Sequence, residues 1–305
     1  MTIPQKLHTI LTLTGKTQET LARELGVSFV AFNAWFNGKA NPRPAALARI
    51  NRLYFKQGGE DIQVGQALEA KKRIIQKLRK KHPKVLQKIL ARKDLYDEFM
   101  LALTYHTNRI EGSTVTKDET AAILFDHTVL RNRSLVEQQE VKNHQAALDF
   151  LFRHLQGGRP INEGLILRLH SILLNAIHVD AGSYRQHAVR IVGANIPTAN
   201  YLKIPVLMRT LSIELGKMST DIIAQVSSVH AHFERVHPFA DGNGRIGRLL
   251  LTAMLLHANI APAIIEQKQR RAYMHSLNVA QSTSDNEKLQ EFFCNAVFKG
   301  YSFLS

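Results

Sequence analysis

The stretch from Val236 to Arg248 reads VHPFADGNGRIGR and concentrates residue types that do chemistry. His237 is a base that titrates near neutral pH. Asp241 is a carboxylate suited to a hard cation such as Mg²⁺. Gly242 and Gly244 lack a Cβ, so the main chain can turn through positive φ and approach a ligand closely. Successive N–H groups in such a turn form an anion-binding nest. Behind Gly244, the residues Ile246, Leu249, Leu250 and Met254 recur at helical spacing. The nest therefore opens a helix, whose N-terminus favours phosphate. Arg245 and Arg248 add forked cationic donors that fit phosphate oxygens. A base, a cation ligand, a nest and two arginines so close together describe chemistry on nucleotide phosphates.

Such residues need a rigid frame, and the sequence offers a helical one. Apolar stripes at helical spacing run through Leu95–Tyr105, Lys117–Phe125, Leu135–His154, Asn162–Leu174, Pro205–Leu215, Ile222–His237, Gly244–Ala258 and Glu287–Phe298. Strand-like alternation is confined to Ala188 to Ile196, where Val189, Ile191 and Gly193 predict a short hairpin arm. The expected fold class is all-α: a helical domain with a short β-hairpin flap, preceded by a small helix-turn-helix module. There is no internal repeat and no low-complexity tract.

HPFADGNGR, then two residues, then Arg248, is similar at every fixed position to the Fic family signature His-x-Phe-x-Asp/Glu-Gly-Asn-Gly-Arg-x-x-Arg. The preceding HAHFERV and the long apolar helix that follows resemble that family too. The resemblance implies an α-helical fold that transfers AMP from ATP to a protein hydroxyl. It implies that His237 is the general base for a target Ser, Thr or Tyr hydroxyl. It makes Asp241 the Mg²⁺ ligand and Gly242, Asn243 and Gly244 main-chain phosphate donors, with the Asn243 side chain also near the α-phosphate. Arg245 and Arg248 would stabilise phosphate charge. Phe239 would pack in the core and fix the loop. Tyr273 resembles the family's aromatic residue near the adenine, although Met274 stands where a second tyrosine is frequent. His230 and His232 have no matched carboxylate or cysteine ligands and read as structural.

Residues 107–112, TNRIEG, resemble the Fic inhibitory motif Ser/Thr-x-x-x-Glu-Gly/Asn, on a helix near residues 100–112. The resemblance implies that Glu111 pairs with Arg248 and withholds a donor from the nucleotide γ-phosphate. Alone, the string would be a helix end capped by Gly112. Residues 181–186, AGSYRQ, resemble the turn before the family's flap, here roughly His187–Tyr201 with Pro197 near its tip. The flap is implied to hold the target chain as an added strand, through main-chain hydrogen bonds that tolerate sequence.

The formal charge is +15 and lies unevenly. Residues 1–93 hold 19 Lys/Arg against 5 Asp/Glu, whereas residues 94–305 are near balance. This asymmetry points to an anionic partner for the first part, nucleic acid before membrane, or else to a solvated basic surface. Residues 1–56 read as a helical module. LARELGVS gives a helix, a glycine turn and Ser28 as N-cap, and a second helix runs from Phe29 to Asn37. With Trp35, Gly38 and Pro42, this resembles a lambda-repressor-like helix-turn-helix. Phe29, Val30, Ala34 and Phe36 leave its second helix few groups for base edges. Asn33, Asn37, Lys39 and Arg43 are the candidate DNA contacts, and a protein-binding surface is the competing reading. Residues 57–93 read as a basic helical linker split by Pro83, and residues 94–305 as the Fic domain.

No apolar run reaches the length of a membrane span. The first residues lack the pattern of a signal peptide. A single cysteine, Cys294, fits a reducing cytoplasm. The expected function is an autoinhibited protein adenylyltransferase using ATP and Mg²⁺, with a target protein, duplex DNA through residues 1–93 and a second copy of the chain as partners. Two alternatives stay open. One is a DNA-binding regulator whose Fic domain senses nucleotide. The other is a Fic enzyme that transfers phosphate or removes AMP.

Overall fold

Short polar side chains start the helices. Thr17, Ser28, Thr116, Ser134 and Asn162 each precede one, and each side-chain oxygen accepts the N–H three residues on. Thr2 and Thr116 form full capping boxes with Gln5 and Glu119. The computed structural model describes residues 2–56, 64–189, 197–217, 219–283 and 285–304. Among these residues every regular element is helical, and none is long and apolar enough to cross a membrane. The hairpin expected at Ala188–Ile196 falls mostly on residues 190–196, outside the described residues. The chain divides into two compact units, residues 1–70 and 71–305.

The first unit holds α1 (Ile3–Thr14), α2 (Gln18–Glu24), α3 (Phe29–Phe36) and α4 (Pro44–Lys56). Leu7, Ile10, Leu21, Leu25, Phe32, Trp35, Ile50 and Tyr54 form its core. Gly26, at φ +66°, makes the turn between α2 and α3. The Arg49 guanidinium closes the end of α2 on the Leu25 carbonyl at 3.1 Å. On α3, Phe32 and Trp35 point inward, while Phe29 and Val30 stand exposed. Phe36 is withdrawn against the His8 ring, with centroids 3.9 Å apart.

The helix α5 (Val64–Lys81) spans the boundary, and α6 (Val85–Ala91) follows the break at Pro83. Lys84 takes up a left-handed conformation there. From Lys71 onward this basic stretch belongs to the second unit. Ile75, Val85 and Ile89 are buried, and the Val85 N–H donates to Asn259 Oδ1 at 2.8 Å. Lys71 and Lys72 pair with Glu291 and Asp221.

The remaining helices are α7 (Lys93–Glu111), α8 (Lys117–Phe125), α9 (Leu135–Gln156), α10 (Glu163–Leu173), α11 (Ile204–Gly216), α12 (Ile222–Val236), α13 (Asn243–His257), α14 (Arg270–Thr283) and α15 (Glu287–Phe303). The central one is α13. Its apolar residues run right round the helix, and every residue from Arg245 to Leu256 is buried. It packs against α7, α9, α10 and α12. Cys294 lies fully buried on α15, where burial pushes its thiol up to about 12. The sequence reading did not mark α1, α4 or α14. The buried face of α14 includes Ser276, Ala280 and Gln281 beside Tyr273 and Leu277, so it carries few large apolar residues.

Candidate active site

The helix α12 ends because Pro238 follows it. His237 closes it as a left-handed C-cap, at φ 50° and ψ 62°. That conformation costs a residue with a Cβ roughly 1 kcal/mol or more, and it turns the chain into the loop Pro238–Gly242. Gly242, at φ +78°, then starts α13 without a side-chain cap. The first N–H groups of α13 are thus left for a ligand or a neighbouring group.

His237 lies half-buried at this turn. Its Nδ1 faces the Glu234 carbonyl at 3.3 Å. A carbonyl only accepts, so Nδ1 carries the proton and Nε2 keeps its lone pair. Burial lowers the pKa of the ring, and the Arg185 guanidinium pushes the same way. The Glu234 carbonyl, Glu111 and Asp241 oppose them. The balance favours the neutral, basic form.

The loop is braced from inside. The Asn243 side chain accepts the Phe239 N–H and donates to the Phe239 carbonyl, both at 2.9 Å. That amide is committed to Phe239, so what Asn243 offers a phosphate is its main-chain N–H. Phe239 is fully buried and stacks on the His170 ring, with centroids 3.7 Å apart. His170 Nδ1 accepts the Gly182 N–H at 2.8 Å, so its Nε2 donates to the Asp241 carbonyl at 3.1 Å. Burial holds this ring near pKa 4, and hence neutral.

Three of the expected phosphate-binding groups already have carboxylate company. Arg245 reaches Glu140 at 2.5 Å and Asp241 at 3.1 Å. Arg248 Nη2 reaches Glu111 at 2.5 Å, and its Nε donates to Thr107 Oγ1 at 2.6 Å. The Glu111 carboxylate also covers the start of α13: a Cβ built on Gly244 would lie 2.5 Å from Glu111 Oε1. Glu111 is the last residue of α7, closed by left-handed Gly112. It sits against both Arg248 and the positive end of the helix dipole.

Residues 160–255 match the Fic/DOC family. The chain carries a Fic domain. Residues 7–58 match a helix-turn-helix family. Protein adenylyltransferase fic-1 of Caenorhabditis briggsae is 35% identical over 201 residues, which cover 64% of this chain and 39% of that protein. Protein adenylyltransferase Fic of Drosophila persimilis is 30% identical over 194 residues, 62% of this chain and 37% of that protein. The chain thus spans well under half the length of these curated relatives. The solved structure of a Fic-1 fragment from C. elegans superposes with a TM-score of 0.68 at 25% identity, covering 94% of this chain and 84% of that one.

Beneath the Fic-domain site lies a buried polar cluster the sequence reading did not assemble. Tyr273 is 1% exposed, and its hydroxyl faces His230 Nε2 at 2.7 Å. His230 Nδ1 faces the Gly247 carbonyl at 3.1 Å, so Nδ1 donates and the Tyr273 hydroxyl donates to Nε2. In this state Tyr273 supports the site from below rather than lining its surface. Glu234, also buried, lies 4.0 Å from His230 Nε2. Burial raises its carboxyl to about 7, moderated by Arg248 and reinforced by Glu111. His232, by contrast, turns away to Glu214 at 3.2 Å. Glu140, Glu234 and Arg185 are the site residues that the motif did not reveal. HFERV and AGSYRQ were the only hints of the last two.

Among the described residues no group of three or more His, Cys, Asp or Glu side chains is placed to hold a metal. Mg²⁺ takes one or two carboxylates together with water and phosphate oxygens. Asp241 is exposed enough to be such a carboxylate. The candidate DNA contacts stand on the first unit. Asn37 donates to both the side chain and the carbonyl of Asn33, while Lys39 and Arg43 are exposed.

Proposed function

We propose that the chain is an autoinhibited protein adenylyltransferase. The observation that carries this reading is the juxtaposition of a neutral His237, with Nε2 available, and a helix N-terminus on which a carboxylate already sits. ATP is the substrate whose phosphates replace that carboxylate. The N–H groups at the start of α13, with Arg245, hold the α- and β-phosphates, and Arg248 holds the γ-phosphate. His237 Nε2 takes the proton of a target hydroxyl as that oxygen bonds to the α-phosphorus. The bond from α-phosphorus to the bridging oxygen breaks, and pyrophosphate leaves. Asp241 would hold Mg²⁺, which supplies charge neutralisation between phosphates.

Glu111 restrains the reaction by holding Arg248 and by placing negative charge where phosphate must sit. ATP then binds with its α-phosphate out of line with the attacking oxygen. Tyr273 is assigned to the adenine side, through the ring it would present once the site is occupied. The target docks as an extended segment along residues 187–201. Residues 1–56, 57–93 and 94–305 are the functional modules. The first two engage duplex DNA through Asn33, Asn37, Lys39, Arg43 and the basic helices, the last two acting mainly on phosphates. The protein works in the cytoplasm, where ATP, Mg²⁺ and a reduced Cys294 are all at hand, and a second copy of the chain is a further partner.

Incubation with labelled ATP and Mg²⁺ tests the activity. Self-labelling from α-labelled but not γ-labelled ATP supports AMP transfer. Label from the γ-position would make the enzyme a phosphotransferase, and bound nucleotide without any transfer would make the domain a sensor.

A further inference from the structure

Arg185 is an unusual cation. It is only 2% exposed, and among the described residues every hydrogen bond its guanidinium makes goes to a main-chain carbonyl. Its Nε donates to His237 at 2.7 Å. Nη1 donates to His187 at 2.7 Å, and Nη2 to Ala199 at 2.6 Å and, more weakly, to Val236 at 3.4 Å. Its own main-chain N–H donates to the Pro238 carbonyl at 3.0 Å. One residue therefore holds three consecutive carbonyls, those of Val236, His237 and Pro238. The first two belong to the last residue of α12 and its C-cap, whose carbonyls have no partner within the helix, and Pro238 begins the loop beyond. The negative end of the helix dipole stands in for a counter-ion. The same guanidinium thus joins His187 and Ala199, and Thr198 Oγ1 adds a bond to the Val189 carbonyl at 2.9 Å.

We propose that Arg185 is a positioning residue for His237: it holds that residue in its left-handed conformation and ties its place to the main chain at His187 and Ala199. The inference rests on the reading of His237 as the base. The strain at His237 requires a restraint, because a residue with a Cβ relaxes out of the left-handed region unless its surroundings hold it. The contacts that hold its main chain are the Phe233 carbonyl, on the same helix, and Arg185. Arg185 also adds positive charge beside the ring. The Glu111 and Asp241 carboxylates oppose it, as does the Glu234 main-chain carbonyl.

The test uses the full chain carrying Glu111→Gly, so that Arg248 is free, and adds Arg185→Lys, Arg185→Met or His237→Ala. Each variant is checked by thermal melting. AMP transfer is then measured against ATP concentration and pH. Arg185→Lys keeps the charge but loses the planar fork that spans several carbonyls. It should lower kcat by about 10- to 100-fold, with KM for ATP within about twofold and the acid limb of the pH profile unmoved. Arg185→Met should lose as much rate. Its acid limb should also move to higher pH, because removing a neighbouring cation lets His237 hold its proton longer. A kcat within about twofold of the parent in either folded variant overturns the proposal, as does a loss carried by KM for ATP. Should Arg185→Met fail to fold, Arg185→Lys decides alone. Transfer retained in His237→Ala would sink the base reading itself. An inactive His237→Ala beside an unaffected Arg185→Lys would sink only the present inference.

Discussion

Glu234 shows what a single residue can impose here. Its carboxyl lies wholly inside the protein, with Oε1 lacking a hydrogen-bond partner and Gly247 leaving it room. Burial raises it from 4.5 to about 7, so the fold favours its protonated form. Its contribution to stability is therefore whole below about pH 4.5 and is lost as pH rises through 7. Glu234→Gln should remove this dependence. Between pH 5 and pH 8 the melting temperature should fall less in the variant than in the parent, by the equivalent of roughly 1–3 kcal/mol. Equal declines in the two proteins would show that Glu234 does not titrate as described. Residues of this kind were hidden in the sequence because their meaning depends on distant partners. Arg245 meets Glu140 across 105 positions and Arg185 meets His237 across 52, whereas His237, Asp241, Arg245 and Arg248 stand in one contiguous motif.

At the scale of elements, most helices of the second unit were legible from their apolar residues, and so was the stop at Pro83. The motif helix begins at Asn243 and ends at His257, within one residue of the range read from its apolar run. What escaped were α1, α4 and α14, the last with a buried face that mixes Ser, Ala and Gln with its apolar residues, and the placement of Glu111 on the helix start as well as on Arg248. Close approach also overrides propensity in α15. Gly300 lies in the last turn of that helix, where Ala is ordinarily the better helix former. A Cβ there would collide with the Pro262 carbonyl and touch Ala261, on the buried segment whose Ile264 N–H donates to Ala296. Gly300→Ala should thus destabilise by roughly 1–3 kcal/mol, read as a lower melting temperature. An unchanged or raised value would mean that this segment is free to shift.

At the scale of the whole molecule, charge divides the chain more sharply than hydrophobicity does. The basic residues of the first 93 positions predict that this chain binds duplex DNA, with affinity falling steeply as salt rises. The exposed Phe29 and Val30 on α3 predict weak discrimination between sequences. Fluorescence polarisation at several salt concentrations measures both, and no binding at low salt would assign the module to protein partners. In the Fic domain, one ion pair, Glu111 with Arg248, is proposed to set the activity of the chain. Autoadenylylation by wild type, Glu111→Gly, Arg248→Ala and the double variant tests it most directly. Glu111→Gly should run about tenfold or more faster than wild type, and adding Arg248→Ala should abolish the gain, since both act through one contact. A folded Glu111→Gly no faster than wild type would contradict the account, leaving Glu111 as packing alone.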